Sequence, residues 1–370
     1  MIVLATLLLA VLVSPTTALA GGACTVTLSA DGNTAAVQRE MDGDKRRPVV
    51  CLRPGHYKGA RLIASRSGEL RAVGDGRVIL DAGGRGRVLT VVNPGVQLVL
   101  AGVTLTEGAV ENGGAIAVEA KSTVRLEDSW ITRNKAADHG GAVFVRGGGR
   151  VELVRSRVSV NSAATGSALW VEGDSSIRLV STLIHDNKSR GGSDDSALVV
   201  RPGCNAAVLH STIAYNPGHG IFVAPAGPDA TPATLRVDSS ILMGAPDAIS
   251  MDRAEAGAAH VHRSVLYGRT GFVPYGPACR RELPVFDLEN AERYRPTYGS
   301  PAIGVGLCSD KDCKFDVAGV RRGGRCTAGA LEADPIAARK TMAERLKREA
   351  SDRAIADKAE PNFWPEGLDW

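Results

Sequence analysis

The chain has 370 residues, with 44 Lys and Arg against 40 Asp and Glu and a formal net charge of +4. Hydrophobic residues at 44% and charged residues at 23% are ordinary for a folded protein and exclude a disordered chain. After the N-terminus, no apolar run approaches the ~20 residues of a membrane-spanning helix. The 43 glycines beside only 4% aromatics point to many tight turns and thin stacked layers rather than one thick core.

Residues 2–13 form an uncharged apolar stretch, followed by the small-x-small pattern Ala18-Leu19-Ala20. This reads as a signal peptide over 1–20, cut after Ala20, with a buried N-terminal strand as the alternative. A lipoprotein reading through Cys24 lacks the large aliphatic residue three positions earlier. Residues 21–45 would cap the N-terminal end, with a short helix from Asn33 to Met41. Asn33 would be its N-cap, and Ala35, Ala36 and Val37 would turn inward.

Over 46–282 the sequence repeats. A small residue followed by an aliphatic-x-aliphatic pair recurs as Ala115-Ile116, Ala142-Val143, Ala168-Leu169, Ala197-Leu198, Gly220-Ile221 and Ala248-Ile249. A second ladder runs through Ser129, Ser156, Thr182, Ser211, Ser240 and Ser264, with an aliphatic three residues before and two after each member. Asn134, Asn161, Asn187 and Asn216 follow its first four members by five residues. Units of roughly 25 residues made of short alternating strands and Gly, Ser and Asn turns cannot bury an aliphatic face alone. They must stack, like on like, into an all-β parallel solenoid of about nine or ten coils. Asparagine recurring at one turn can adopt left-handed geometry and pass side-chain hydrogen bonds up the stack.

The pattern resembles secreted right-handed parallel β-helix proteins of the pectin-lyase-like superfamily. The turns Gly113-Gly114-Ala115-Ile116 and Gly140-Gly141-Ala142-Val143 resemble polymorphic outer-membrane-protein repeats, and Pro54-Gly55-His56-Tyr57 is similar to the opening of such coils. Residues 283–333 would be a C-terminal capping module. Within it, Gly299-Ser300-Pro301-Ala302-Ile303, Asp316-x-x-Gly319-x-x-Arg322 and Gly329-Ala330-Leu331-Glu332 resemble the module called choice-of-anchor Q, although Gly304 and Thr327 replace its usual aspartates.

In an exported protein the cysteines are expected to pair. Cys24 with Cys51 would staple one end, and Cys279, Cys308, Cys313 and Cys326 could make two bridges at the other. Cys204 would remain a buried thiol. A metal site from Cys308, Cys313 and Cys326 is the less favoured alternative. Residues 334–370 form a tail whose helix starts at Asp334-Pro335 and carries 12 charged side chains over 337–360. With only Ile336, Met342, Leu346 and Ile355 as an apolar stripe, it reads as a solvated surface helix. Docking to a partner protein is the sharper alternative.

The chemistry is less distinct. Asp194-Asp195 followed by Gly218-His219-Gly220 resembles the acid pair and Gly-His-Gly of polygalacturonase-like hydrolases, which implies general acid and base roles for the aspartates. Two further motifs of that family are missing, and Ser196 rather than Asp195 aligns with His219. A lyase would need a base and cations or calcium, for which no compact aspartate ladder is visible. His260 and His262 would share one strand face without the further ligands of a metal site. Between Lys45 and Arg87 stand 11 Lys and Arg against three acids, making Arg53, Lys58, Arg61, Arg66 and Arg71 candidates for contact with acidic glycans. Nucleic acid is not expected, because aromatics are not interleaved with these cations. The expectation is therefore an exported, non-catalytic β-helix for adhesion or recognition outside the cell, at its surface or in the periplasm. It would take acidic polysaccharide or a surface partner and use no cofactor. A polysaccharide hydrolase or lyase is the first alternative, and a structural envelope protein the second.

Overall fold

The computed structural model describes residues 22–30, 34–191, 195–252, 259–271, 273–276, 278–289, 293–309, 311–344 and 347. The proposed signal peptide, Asp194, Asn33, Leu346 and Ile355 lie outside them. Three parallel sheets run the length of a solenoid of about nine turns. Sheet A has ten strands, from Val26–Leu28 to Ala259–His262. Sheet B has nine, from Gly55–Lys58 to Val265–Arg269, and sheet C has eight, from Leu62–Ala64 to Ile249–Met251. Each coil contributes one strand to each sheet, in the order A, B, C. A fourth, short sheet joins Ala109–Asn112, Lys135–His139, Ser162–Ala163 and Lys188–Ser189 at the bend between B and C.

The repeat dictates this arrangement. In sheet A the register stacks Val50, Leu70, Leu100, Leu126, Leu153, Leu179, Val208, Val237 and Val261 in one column. Sheet C stacks Leu62, Leu89, Ile116, Val143, Leu169, Leu198, Ile221 and Ile249. All are essentially inaccessible and belong to one continuous core cluster. Each buried aliphatic contributes about 1.5–3 kcal/mol, but only because the coil above supplies the other half of its surroundings.

Both polar ladders of the sequence are hydrogen-bond ladders. The backbone N–H of Thr182 donates to Ser211 Oγ, Ser211 to Ser240 Oγ and Ser240 to Ser264 Oγ, each at 3.1 Å. Along the other bend, Asn134, Asn161 and Asn187 each donate a backbone N–H, at 3.0 Å, and a side-chain amide to the Oδ1 of the next asparagine. The residue just before each hydroxyl is left-handed (Asp128, Arg155, Ser181, His210, Ser239 and Arg263 have φ between 46° and 51°). Such geometry costs about 1 kcal/mol or more in a non-glycine residue, so the ladders hold the chain in a bend it would otherwise avoid.

The N-terminal helix, Thr34–Asp42, buries Val37 and Met41, one helical turn apart. Ala35, expected inside, is exposed because the inward stripe of a 3.6-residue period passes through 37 and 41. At the other end, Asp316 is fully buried and accepts the N–H groups of Ala318, Val320 and Glu332. Arg322 donates to the Thr327 and Gly329 carbonyls and to Glu332. The Asp-x-x-Gly-x-x-Arg motif is thus a framework that folds residues 316–332 onto themselves. Burial pushes the Glu332 carboxyl upward against the pull of Arg322.

Of the expected stripe, only Ile336 and Met342 lie among the described residues, on a helix over 335–344. Ala337 and Thr341 are buried, Met342 meets the bare backbone of Gly304, and Thr341 Oγ1 accepts the N–H of Gly299 at 2.9 Å. Ile336 is 61% exposed. A glycine at 304, where a side chain would strike the Met342 sulfur, makes room for this docking.

Candidate functional site

The outer face of sheet A holds the main cleft. Alternation along each strand turns every second residue outward, and the register aligns these into columns. One column reads Arg125, Glu152, Arg178, Ala207, Arg236 and His260; its neighbour reads Thr123, Arg150, Ser176, Asn205 and Thr234. Ala207 interrupts the long side chains and leaves a hollow. A cleft of about 410 Å³ over Arg150, Glu152, Ser176, Arg178, Asn205, Thr234, Arg236 and His260 continues across Ala207 into a second hollow of about 490 Å³. The second is walled by Leu307, Ser309, Lys311 and Cys313 of the C-terminal module, with His210 and Asp238 below.

The charges here are unequally committed. Arg125 donates to Glu127 at 2.5 Å, to Glu152 at 2.7 Å and to Asp312 at 3.2 Å. Arg178 reaches the other oxygen of Asp312 at 3.0 Å. Burial works against the Asp312 carboxylate, but Arg125 and Arg178 outweigh it and hold its pKa below the ordinary value. Asp312 thereby clamps the 3-10 turn Lys311–Cys313 to the sheet face. Asp238 is paired with Arg263. The two carboxylates lining the cleft are both engaged from outside its lining, Glu152 by Arg125, which it shares with Glu127 and Asp312, and Asp238 by Arg263. Arg150, Arg236 and Lys311 are exposed around it, Arg236 lying 3.7 Å from Asp238 with a side chain 63% accessible. The cleft is net basic. His210, pushed down to about 4 by burial and then by the nearby Arg322, is neutral at physiological pH.

Residues 87–232 match the family described as the right handed beta helix region. Pectate lyase Pel9A is similar in structure, with a TM-score of 0.51 at 12% identity over 83% of this chain and 96% of the lyase. The fold is a right-handed parallel β-helix. Pectin methylesterase PemA from Erwinia chrysanthemi aligns with a TM-score of 0.41 at 11% identity, over 71% of this chain and 94% of that one. No curated protein sequence matches. At these identities the likeness concerns fold and assigns no activity.

The β-helix disperses the basic residues expected from the early sequence. Arg53 follows the first full coil's sheet A strand, Lys58 ends its sheet B strand and Arg61 precedes its sheet C strand, so these three exposed cations point around the perimeter. Arg66 donates to the Asp42 and Gly43 carbonyls at the end of the N-terminal helix, at 3.2 and 2.6 Å. Arg71 pairs with Glu69 and reaches the Gly22 carbonyl. A run of cations along the chain is wound around the coil; cations one coil apart line up.

The hydrolase-like residues lie at the start of sheet C. Ser196 pairs with His219, and the His219 N–H donates to the Asp195 carbonyl at 2.7 Å. The His219 imidazole turns to the next coil, where Nδ1 lies 3.0 Å from Asp247 Oδ2 without hydrogen-bond alignment; Asp247 is also held by Arg269 at 2.8 Å. Asp195 Oδ1 is buried with no hydrogen-bond partner among the described residues. His260 and His262 share the exposed face of their strand, as alternation requires.

Cys24–Cys51 and Cys308–Cys313 are disulfides, whereas Cys204, Cys279 and Cys326 are thiols. Two bridges among the last four cysteines were expected, and one is present. Cys279 lies on the last coil, its Sγ 3.6 Å from the Val261 carbonyl, while Cys326 is buried against His210.

Proposed function

We propose that this β-helix is an exported recognition protein that binds an acidic polysaccharide along the outer face of sheet A. The observation that carries the reading is the cleft in which both lining carboxylates are held by arginines from outside it while Arg150, Arg236 and Lys311 remain at its surface. Ser176, Asn205 and Thr234 add hydroxyl and amide groups suited to sugar hydroxyls. A rigid sheet as the floor means that little order has to be gained on binding.

The mature protein, tested against polygalacturonate, a sulfated glycan and neutral dextran, should retain the acidic polymers and release them as salt rises. Arg150→Ser/Arg236→Ser should weaken binding about tenfold or more, the loss of one or two charge-assisted hydrogen bonds. Arg53→Ser/Arg61→Ser should leave it unchanged. Equal losses in both double variants would defeat the assignment to sheet A.

A second reading, polysaccharide cleavage, is supported by the buried Asp195 Oδ1, without a hydrogen-bond partner among the described residues, beside Gly218-His219. Release of reducing ends or unsaturated sugars that Asp195→Asn abolishes would replace binding by catalysis.

A further inference from the structure

Where the C-terminal module meets the solenoid, the donor atoms of His210, Cys308 and Cys313 gather within reach of one another, and Cys326 lies against His210. Cys326 pairs across a two-stranded ribbon with Gly306, and the Cys308 N–H donates to the Gly324 carbonyl, so Cys308 and Cys326 lie on one face of that ribbon. The 3-10 turn Lys311–Cys313, pinned by Asp312 to Arg125 and Arg178, carries Cys313 back to Cys308. His210 comes from the left-handed bend after strand Asn205–Leu209. Its ring nitrogen and the sulfurs of Cys308 and Cys313 all lie within 4.8 Å of one another, and Cys326 Sγ is 3.8 Å from His210 Nδ1. His210, Cys313 and Cys326 are buried, at 5%, 1% and 3% exposure.

We propose that, once the Cys308–Cys313 disulfide is reduced, His210, Cys308, Cys313 and Cys326 form a three-cysteine, one-histidine zinc site joining the C-terminal module to the β-helix. Tetrahedral zinc with sulfur at about 2.3 Å and nitrogen at about 2.0 Å places its ligand atoms roughly 3.5–3.8 Å apart, the spacing already present between His210 and Cys326. The disulfide engages only two of the four donors and leaves a buried thiol against a buried imidazole.

The chemistry balances with a dithiol as reductant. Two electrons from the dithiol break the Cys308–Cys313 bond, the dithiol closes to its own disulfide, and its two protons go to the two new thiols. Zinc then takes three thiolates and a neutral imidazole, releasing three protons. The resulting centre carries one negative charge, beside the buried ion pair of Arg322 with Glu332. The 490 Å³ hollow lined by His210 and Cys313 gives the ion and the reductant a way in. Loading would exchange a link within the module for one between module and solenoid, in the wall of the same cleft.

The test uses the mature protein, reduced with a phosphine or dithiol under anaerobic conditions and titrated with Co²⁺ and then Zn²⁺. One equivalent of Co²⁺ should give the visible bands of a tetrahedral ion and a thiolate charge-transfer band, both erased by Zn²⁺. Cys326→Ser and His210→Gln should each weaken binding about tenfold or more, while Cys204→Ser should not. Both variants keep Cys308 and Cys313, and a cooperative unfolding transition like that of the parent in the oxidised forms verifies the fold. No thiolate–cobalt band in the reduced protein, or equal affinity in Cys326→Ser, would overturn the proposal.

Discussion

Asn161→Ala is expected to lower the unfolding free energy by about 3 kcal/mol or more. Asn161 is fully buried in the middle of the asparagine ladder. Its Oδ1 accepts the backbone N–H and the side-chain amide of Asn134, and its own amide donates to Ile131 O, Ser159 O and Asn187 Oδ1. Alanine would leave the Asn134 N–H and the Ile131 carbonyl without these partners in a space that water can reach only by separating coils. Each buried polar group stranded in this way costs about 1–3 kcal/mol. Asn216, at the end of the ladder and 8% exposed, should cost less when replaced, because solvent can take over part of its role. Guanidinium unfolding of both variants is the measurement. A change within 1 kcal/mol for Asn161→Ala would mean that the aliphatic columns hold the bend without the ladder.

Gly141→Ala is expected to cost about 3 kcal/mol, at the upper end of overpacking. A Cβ there would lie 2.3 Å from Ser167 O and 2.7 Å from Ser162 C, and both are backbone atoms of the next coil that cannot rotate aside. The double glycines of the repeat serve two needs. Gly113 and Gly140 supply φ values of 64° and 62° and also lie against neighbouring backbone, whereas Gly114 and Gly141 are needed for space alone where coils touch. Gly95 is the control, with a φ of 77° but nothing within 4 Å of a new Cβ. Gly95→Ala should therefore cost only about 1 kcal/mol, from backbone strain alone. If thermal unfolding ranked the two variants equally, the space argument would fail.

These ladders bear on function because they fix the rise between coils. Arg150, Arg178 and Arg236 are spread over four consecutive sheet A strands, and only a constant stacking distance makes them one cleft. An expelled coil would separate those charges as surely as a charge substitution.

Part of the site was present in the sequence once the register was known. The outward column Arg125, Glu152, Arg178, Ala207, Arg236, His260 sits one position before the inward aliphatics Leu126, Leu153, Leu179, Val208, Val237 and Val261. Counting along the chain instead of down the coils pointed to Arg53 through Arg71, which the winding then scattered. Asp312 could not have been found this way, because its partners Arg125 and Arg178 belong to coils more than a hundred residues earlier.

The sequence by itself determined the solenoid. Its repeated aliphatic pairs, hydroxyls and asparagines act between residues one coil apart, and short-range periodicity is a local property of the chain. The tertiary structure alone decided how the C-terminal module folds back on sheet A. That docking brings Asp312 to its arginines, Cys326 to His210 and Lys311 to the rim of the cleft. Those contacts follow no period, so their existence depends on the shape of the completed coils, against which the module's buried charges and apolar side chains find their partners.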